Sequence, residues 1–301
     1  MKLVTVFGGT GFLGRHIVEG LSREGVAVRI AVRHRDQAIF HGAQDGGQIT
    51  SMAVDVRDEG AVGAAISGVD GVVNAVSAYA EKGGITYRDI HERGAGNIAR
   101  ACHQQDVQCL VHISGIGADP ASSSLYIGAR GRGDLLVRQA FPRAVILRPS
   151  VMFGPDDAFL NAVAKIIRLT PVIPLIGGGW TRLQPIHVRD VAEAARRSLL
   201  NPGSEGHIYE LGGAETYTLR EITEMVAARM GRRRAFFSVP FGLAHSLARL
   251  FELLPAAPLT VAQVDLLLDD SLPASGMPGL RELGVLPHRL EDALADIPAA
   301  R

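Results

Sequence analysis

Two cysteines, no apolar run of transmembrane length and no net charge exclude several classes of protein at once. Cys102 and Cys109 are too far apart for a CxxC site, and two cysteines make no disulfide framework. They read as small buried residues of a reducing compartment. No stretch reaches the ~20 apolar residues that a membrane helix needs. The 31 Lys and Arg residues balance 31 Asp and Glu, so overall charge attracts neither nucleic acid nor an anionic membrane, and no nucleic-acid partner is expected. His91, His103 and His112 share no ligand spacing with the cysteines, so no metal is expected. The first apolar strand begins at Leu3, which leaves no room for a targeting leader, and a cytoplasmic location is the expectation. At 301 residues the chain can bury a large core, in one large domain or two unequal ones.

What the chain does have is glycine in one informative place. The apolar run Val4–Phe7 feeds directly into Gly8, Gly9, Gly11 and Gly14, with Thr10, Phe12 and Leu13 between them. Leu13, Ile17 and Leu21 then fall at helical spacing, and Gly25 ends the helix. Strand, glycine turn and helix form the context of a dinucleotide-binding loop. Glycines let the turn close and let backbone N–H groups approach a pyrophosphate, which the helix N-terminus also attracts.

Further apolar runs at 27–32, 49–54, 71–76, 109–113 and 144–147 are each separated by a helix-length segment. This alternation predicts an α/β fold, a doubly wound parallel (Rossmann) sheet with helices on both faces. Ligands of such sheets sit at the carboxyl ends of the strands, so the residues after each run are the candidates. After the second strand come Arg33, His34 and Arg35, where an NAD-selective site usually carries an acid. Arg33 and Arg35 instead offer cations to a 2′-phosphate, so NADP(H) is expected over NAD(H). Asp36 better suits a helix N-cap. Asp55 and Val56 are candidates for the adenine, Ala75 and Val76 for the passage of the cofactor backbone, and Ser114 for the end of the fifth strand.

These residues resemble the extended short-chain dehydrogenase/reductase superfamily. Its Gly-x-x-Gly-x-x-Gly loop is matched by Gly8, Gly11 and Gly14, its adenine pair by Asp55-Val56, and its sixth strand and following turn by Leu147–Pro155. The resemblance places Pro149 near the nicotinamide. A narrower likeness, carried by 174–179, 181–192, 209–213, 258–264 and 283–285, is to the atypical branch that contains the nucleotide-binding accessory subunit of respiratory complex I. Active superfamily members use a Tyr-x-x-x-Lys pair, which here reads Tyr126-Ile127-Gly128-Ala129-Arg130. Arg130 keeps the charge but not the compact ammonium. Gly115 and Ile116 stand where a catalytic Ser or Thr is expected. The resemblance therefore implies an accessory or assembly protein whose bound NADPH is structural or weakly catalytic. The alternative is a free-standing reductase or epimerase-like enzyme for a small carbonyl, sugar-nucleotide or quinone-like substrate, using Tyr126 and Arg130.

The second half loses the alternation. Residues 1–150 form the expected dinucleotide-binding domain, with 183–212 returning to it. Residues 151–182 and 213–301 form a smaller lobe for substrate or docking. Asp190 is the expected N-cap of a helix to Leu200, and Asp156 and Asp157 read as a solvated pair. Residues 177–180 read as a mobile loop or a plain turn. Within 232–254, Arg232-Arg233-Arg234 precede an amphipathic helix bearing Leu243, Leu247, Leu250 and Leu254. Such a helix commonly closes its own lobe's core. Beside a basic cluster it also suits docking on an anionic membrane or on complex I, with a location peripheral to the inner membrane.

Overall fold

Seven parallel strands form the centre of the molecule. The computed structural model describes residues 1–33, 48–201, 203–254 and 257–294. In chain order the first half runs β1 (Leu3–Phe7), α1 (Phe12–Arg23), β2 (Ala27–Val32), β3 (Ile49–Ala53), α2 (Glu59–Ile66) and β4 (Gly71–Asn74). A π-helical stretch, Arg88–Gly94, then runs into α3 (Ala95–Gln104), followed by β5 (Cys109–Ile113), α4 (Leu125–Ala140) and β6 (Val145–Pro149). The second half contributes β7 (Met152–Phe153), α5 (Ala158–Leu169), β8 (Val172–Ile176), β9 (Arg182–Leu183), β10 (Ile186–His187), α6 (Val188–Leu200) and β11 (Ile208–Leu211). It ends with β12 (Tyr217–Thr218), α7 (Leu219–Arg229), β13 (Ala235–Val239), α8 (Phe241–Phe251), α9 (Val261–Asp265) and α10 (Leu290–Leu294).

The sheet order is β11-β6-β5-β4-β1-β2-β3, so the winding reverses between β1 and β4. This is the doubly wound sheet that the alternating apolar runs predict, and its switch point lies beside the glycine loop. One face is closed by α1 and α6 over Val4, Val6, Ile17, Leu21 and Val191. The other is closed by α2 and α3 over Phe7, Val62, Val72, Ile98 and Leu110. Strands buried on both faces read as continuous apolar runs, which is why β4 and β5 were legible. The run at 71–76 leaves the sheet after Asn74, because the Asn74 side chain accepts the Val76 N–H in a local turn.

Outside this sheet, β8 pairs in parallel with β13. Helices α5 and α7 cover a second core of Phe153, Leu160, Ile167, Ile222 and Val226. Three expectations for this half are corrected. Helix α6 begins at Val188 with His187 as its N-cap, and Asp190 lies buried in its first turn. Asp157 is not solvated: it is buried and caps α5 by accepting the Leu160 N–H at 2.6 Å. Asp156 beside it is exposed and occupies a left-handed conformation (φ 65°). The third concerns α8. Its buried side chains are Ala244 and Ala248, whereas Leu243 (53% exposed) and Leu250 (60%), and Leu254 (49%) just beyond the helix, face outward. The leucine stripe does not close the lobe's own core, because the small alanines let α8 lie close against α9 and Val239. Among the described residues, no helix is long and apolar enough to cross a membrane.

Candidate functional site

The glycine loop is built by close backbone approach. Gly11 N–H donates to Gly8 O at 2.9 Å, which closes the turn ahead of α1. A Cβ at Gly14 would stand 2.0 Å from Gly8 O, so only glycine lets α1 pack against the end of β1. Gly8 has φ +76°, and a Cβ there would meet Ala75 O at 2.9 Å. Ala75 itself donates to Phe7 O at 3.0 Å, so β1 and β4 end side by side under the loop. Thr10, Phe12 and Leu13 fall between these glycines, with Phe12 the first residue of α1 and Leu13 buried beneath it. Nothing projects into the cradle from Gly8, Gly11 or Gly14, and the α1 N-terminus opens onto it, which fits a pyrophosphate.

At the neighbouring corner, Arg33 follows β2 and is exposed. Arg35 lies outside the described residues. Asp55 is engaged by a residue that no sequence motif marks. Arg57 donates from Nη2 to Asp55 Oδ2 at 2.6 Å and from its backbone N–H to Oδ1 at 2.9 Å. The side-chain bond from Arg57 holds the Asp55 carboxyl below its usual range, and the charge of Arg33 acts in the same direction. The Arg57 guanidinium thus clamps the carboxylate just after β3. Val56 is fixed from behind, where its carbonyl accepts from Asn97 Nδ2 at 3.0 Å. Val76 is half-buried beside it on the β4 side.

Tyr126 and Arg130, one turn apart on α4, are brought together. Arg130 Nη1 donates to the Tyr126 hydroxyl at 2.7 Å, and the guanidinium lies 5.3 Å from the ring centre. Tyr126 is 1% exposed. Its ring is packed against Tyr79 (5.5 Å), Tyr87 (5.4 Å) and His91 (5.4 Å). Ala262 of α9 and Leu266 complete the enclosure with Tyr87 and Ala129. Ser124, the N-cap of α4, donates to Asp265 of α9, so the two helices are also tied by a polar contact. Burial pushes the Tyr126 phenol far above its ordinary value, and the charge of Arg130 offsets only part of that. His91, lowered by burial and by Arg130 to about 3, is neutral at physiological pH. A proton relay needs a pKa near the working pH. This phenol is displaced the opposite way.

The place of the missing serine is filled. A Cβ at Gly115 would lie 2.6 Å from both terminal nitrogens of Arg130. The larger guanidinium occupies the volume that a side chain at position 115 requires, so the two departures from the active pattern are sterically one. Ser114 does not substitute. It is 2% exposed, and its buried hydroxyl has no hydrogen-bond partner among the described residues. Asp134 belongs to a buried chain in which Asn74 meets His112 (3.0 Å), His112 meets Asp134 (3.5 Å) and Arg148 donates to Asp134 (2.8 Å). Burial alone would raise the Asp134 pKa, but the nearby His112 and the charge of Arg148 outweigh it and hold it low. This chain ties β4, β5, α4 and β6 together beneath the cleft. Pro149 is buried at the end of β6, and its carbonyl accepts the Ile116 N–H at 3.1 Å.

A second polar group lies apart from these residues. His187, Asp190 and His288 place one ligand-type atom each within 4.8 Å of one another. Nothing in the sequence signalled this, because 98 residues separate Asp190 from His288.

Comparison with known proteins agrees with the geometry of the cradle. Residues 8–153 match a family described as NAD(P)H-binding. The NADH dehydrogenase [ubiquinone] 1 alpha subcomplex subunit 9, mitochondrial, of Arabidopsis thaliana is 30% identical, across 96% of this chain and 75% of its own length. The Mus musculus protein of the same name is 31% identical, across 96% of this chain and 78% of its own. A nucleoside-diphosphate-sugar epimerase of Staphylococcus aureus superposes with a TM-score of 0.75 at 18% identity, over 98% of this chain and 100% of that one. That likeness establishes the fold alone.

Proposed function

Since the chain belongs to the alpha subcomplex subunit 9 family of atypical short-chain dehydrogenase/reductase proteins, we propose that it is an NADP(H)-binding accessory protein whose cofactor is a structural element rather than a consumed reductant. The observation that carries this reading is the contrast between its two half-sites. The glycine cradle is shaped by Gly8 and Gly14, where a Cβ would clash with backbone, and Gly11 between them is exposed. The reaction centre is closed, with Tyr126 buried under α9 and its hydroxyl bonded to Arg130. Gly8, Gly11, Gly14 and the N-terminus of α1 would hold the pyrophosphate, with Thr10, Phe12 and Leu13 lining the turn. Asp55 and Val56 would border the adenosine, Ala75, Val76 and Ser114 the middle of the cofactor, and Arg130 and Pro149 its nicotinamide end. When bound, such a cofactor supplies redox chemistry, but here its principal contribution is binding energy for the native state. A ligand that binds only the native state adds ~4 kcal/mol at a thousandfold excess over its Kd.

Selectivity for NADP(H) rests on Arg33 and Arg57 at the mouth of the adenosine corner. Arg33→Ala is expected to weaken NADPH binding roughly tenfold, about 1.4 kcal/mol, while NADH binding stays unchanged. Titration of both nucleotides by calorimetry checks this, and equal losses for the two would remove the assignment of the 2′-phosphate.

Docking is assigned to residues 232–254. Leu243 and Leu250 face outward on α8 and Leu254 is exposed just beyond it, and the half-exposed Phe237 and the arginines at 232–234 precede the helix in the chain. This combination suits a membrane-bound NADH:quinone oxidoreductase or the anionic surface around it, and hence a location peripheral to the membrane. The variant Leu247→Glu/Leu250→Glu should lose at least about tenfold of its affinity for phosphatidylglycerol vesicles or for the isolated oxidoreductase. Wild-type protein that bound neither would remove the docking assignment.

The second reading, a free-standing reductase or epimerase-like enzyme, is favoured by the retention of Tyr126 with a cation four residues on. It requires α9 to move away from Tyr126.

A further inference from the structure

We propose that His187, Asp190 and His288 form a binding site for a borderline divalent cation, of which Zn2+ is the representative, and that the ion clasps the C-terminal segment to the helix layer carrying the glycine loop. None of these residues is among those assigned to the cofactor or to docking.

Chemistry and placement both support it. Two imidazoles and one carboxylate form a donor set that suits Zn2+ in an open, three-ligand site. Their ligand-type atoms lie within 4.8 Å of one another. Tetrahedral bonds of ~2.1 Å need donors about 3.4 Å apart, so the wider pairs must close by roughly 1 Å while Asp190 Oδ1 and His288 Nδ1, now in direct contact, must part by about as much to admit the ion. Two of the three residues are held firmly. His187 caps α6 and packs edge-on against Phe153 at 5.2 Å, and Asp190 is 1% exposed in the first turn of that helix. The third can move: the His288 side chain is 56% exposed, on an extended stretch just before α10. It is already drawn inward, since Asp190 Oδ1 meets His288 Nδ1 at 2.5 Å and Asp190 Oδ2 accepts the His288 N–H at 2.8 Å. The two imidazole rings lie 4.9 Å apart.

An independent observation points to a ligand at the same place. His16 of α1 carries a buried Nε2 with no hydrogen-bond partner among the described residues. His16, Asp190 and His288 line one cavity of about 300 Å3 between α1 and α6. Asp190 and His288 thus face a cavity that also holds the His16 imidazole, whose Nδ1 lies 3.9 Å from Glu19 Oε2 and whose Nε2 is unpartnered among the described residues. The cavity's cations are largely neutralised by acids: Arg23 pairs with Glu19, and Arg196 and Arg197 pair with Glu193. Arg189 is exposed at its rim.

The test uses the full chain after chelator treatment and dialysis. Calorimetric titration with ZnCl2 should show one site of micromolar affinity or tighter, and Zn2+ should raise Tm. Co2+ in place of Zn2+ should give the visible absorption of a four-coordinate nitrogen and oxygen site, a readout that needs no variant. His288→Ala should lower Zn2+ affinity by at least the roughly 10–100-fold that the loss of a supporting partner alone costs. The surface control His207→Ala should leave it unchanged. His187→Gln provides the same comparison from the helix side should His288→Ala fold poorly. Absence of saturable Zn2+ binding, or binding equally affected by the control, would overturn the site and leave Asp190 and His288 as a purely structural pair.

Discussion

Gly14→Ala should abolish nucleotide binding and destabilise the fold, although it adds a single methyl group. The new Cβ would stand 2.0 Å from Gly8 O and 2.8 Å from Gly9 Cα, both backbone atoms that cannot swing aside. Either α1 is pushed off β1 or the Gly8–Gly11 turn opens, and both outcomes spoil the array of N–H groups aimed at the pyrophosphate. The expected loss is about 3 kcal/mol of stability, roughly 6–12 °C in Tm, with NADPH affinity reduced at least a hundredfold. Gly11→Ala is the internal comparison. Gly11 has φ −72°, and its Cβ would meet only Gly8 O at 3.2 Å, so it should lose less than about 1 kcal/mol. Thermal melts with and without NADPH distinguish the two variants. Equal behaviour would mean that the loop moves on binding and that its present geometry is not the binding geometry.

The second large effect concerns the closed centre, where two departures from the active pattern occupy one volume. Gly115→Ser places a Cβ 2.6 Å from both terminal nitrogens of Arg130. A long side chain ordinarily yields to such a clash. Here the guanidinium is bonded to the Tyr126 hydroxyl, and moving it breaks a charged hydrogen bond worth about 1.5–3 kcal/mol. Gly115→Ser alone should therefore cost ~2 kcal/mol. In the Arg130→Lys background, where the slimmer ammonium frees the space, the same change should cost less than about 0.5 kcal/mol, giving a coupling well above the error of such a cycle. Additive losses would mean that the arginine and the glycine are unrelated substitutions. Restoring Lys and Ser together should still not yield rapid turnover, because Ala262 and Leu266 continue to cover Tyr126.

The parts of this account that were legible in the sequence share a physical property: they are local. The glycine loop and the strands of the sheet are specified by neighbours within a few residues, and their order predicted the doubly wound fold. The same locality exposed Tyr126 and Arg130 as a pair on one helix face. Properties set by distant contacts were not legible. The burial of Tyr126 depends on α9, 135 residues downstream at its Val261 start. The amphipathic pattern at 243–254 revealed a stripe but not its direction, since two alanines, not the leucines, made the closest packing partner. Asp190 has the look of a cap because it precedes a helical run. His187, three residues earlier, took that role and freed Asp190 to meet His288. Nothing local distinguishes Arg57 from any surface arginine; only the folded chain sets it on Asp55.

The central claim is that the cofactor site is intact while the reaction centre is shut. Its most direct test is the fate of NADPH on the purified wild-type chain, followed by absorbance in the presence of small carbonyl, sugar-nucleotide and quinone substrates. The account predicts that NADPH binds, raises Tm by several degrees and persists unoxidised through many hours with every substrate class. Steady oxidation dependent on Tyr126, lost in Tyr126→Phe without loss of binding, would contradict it and establish an enzyme.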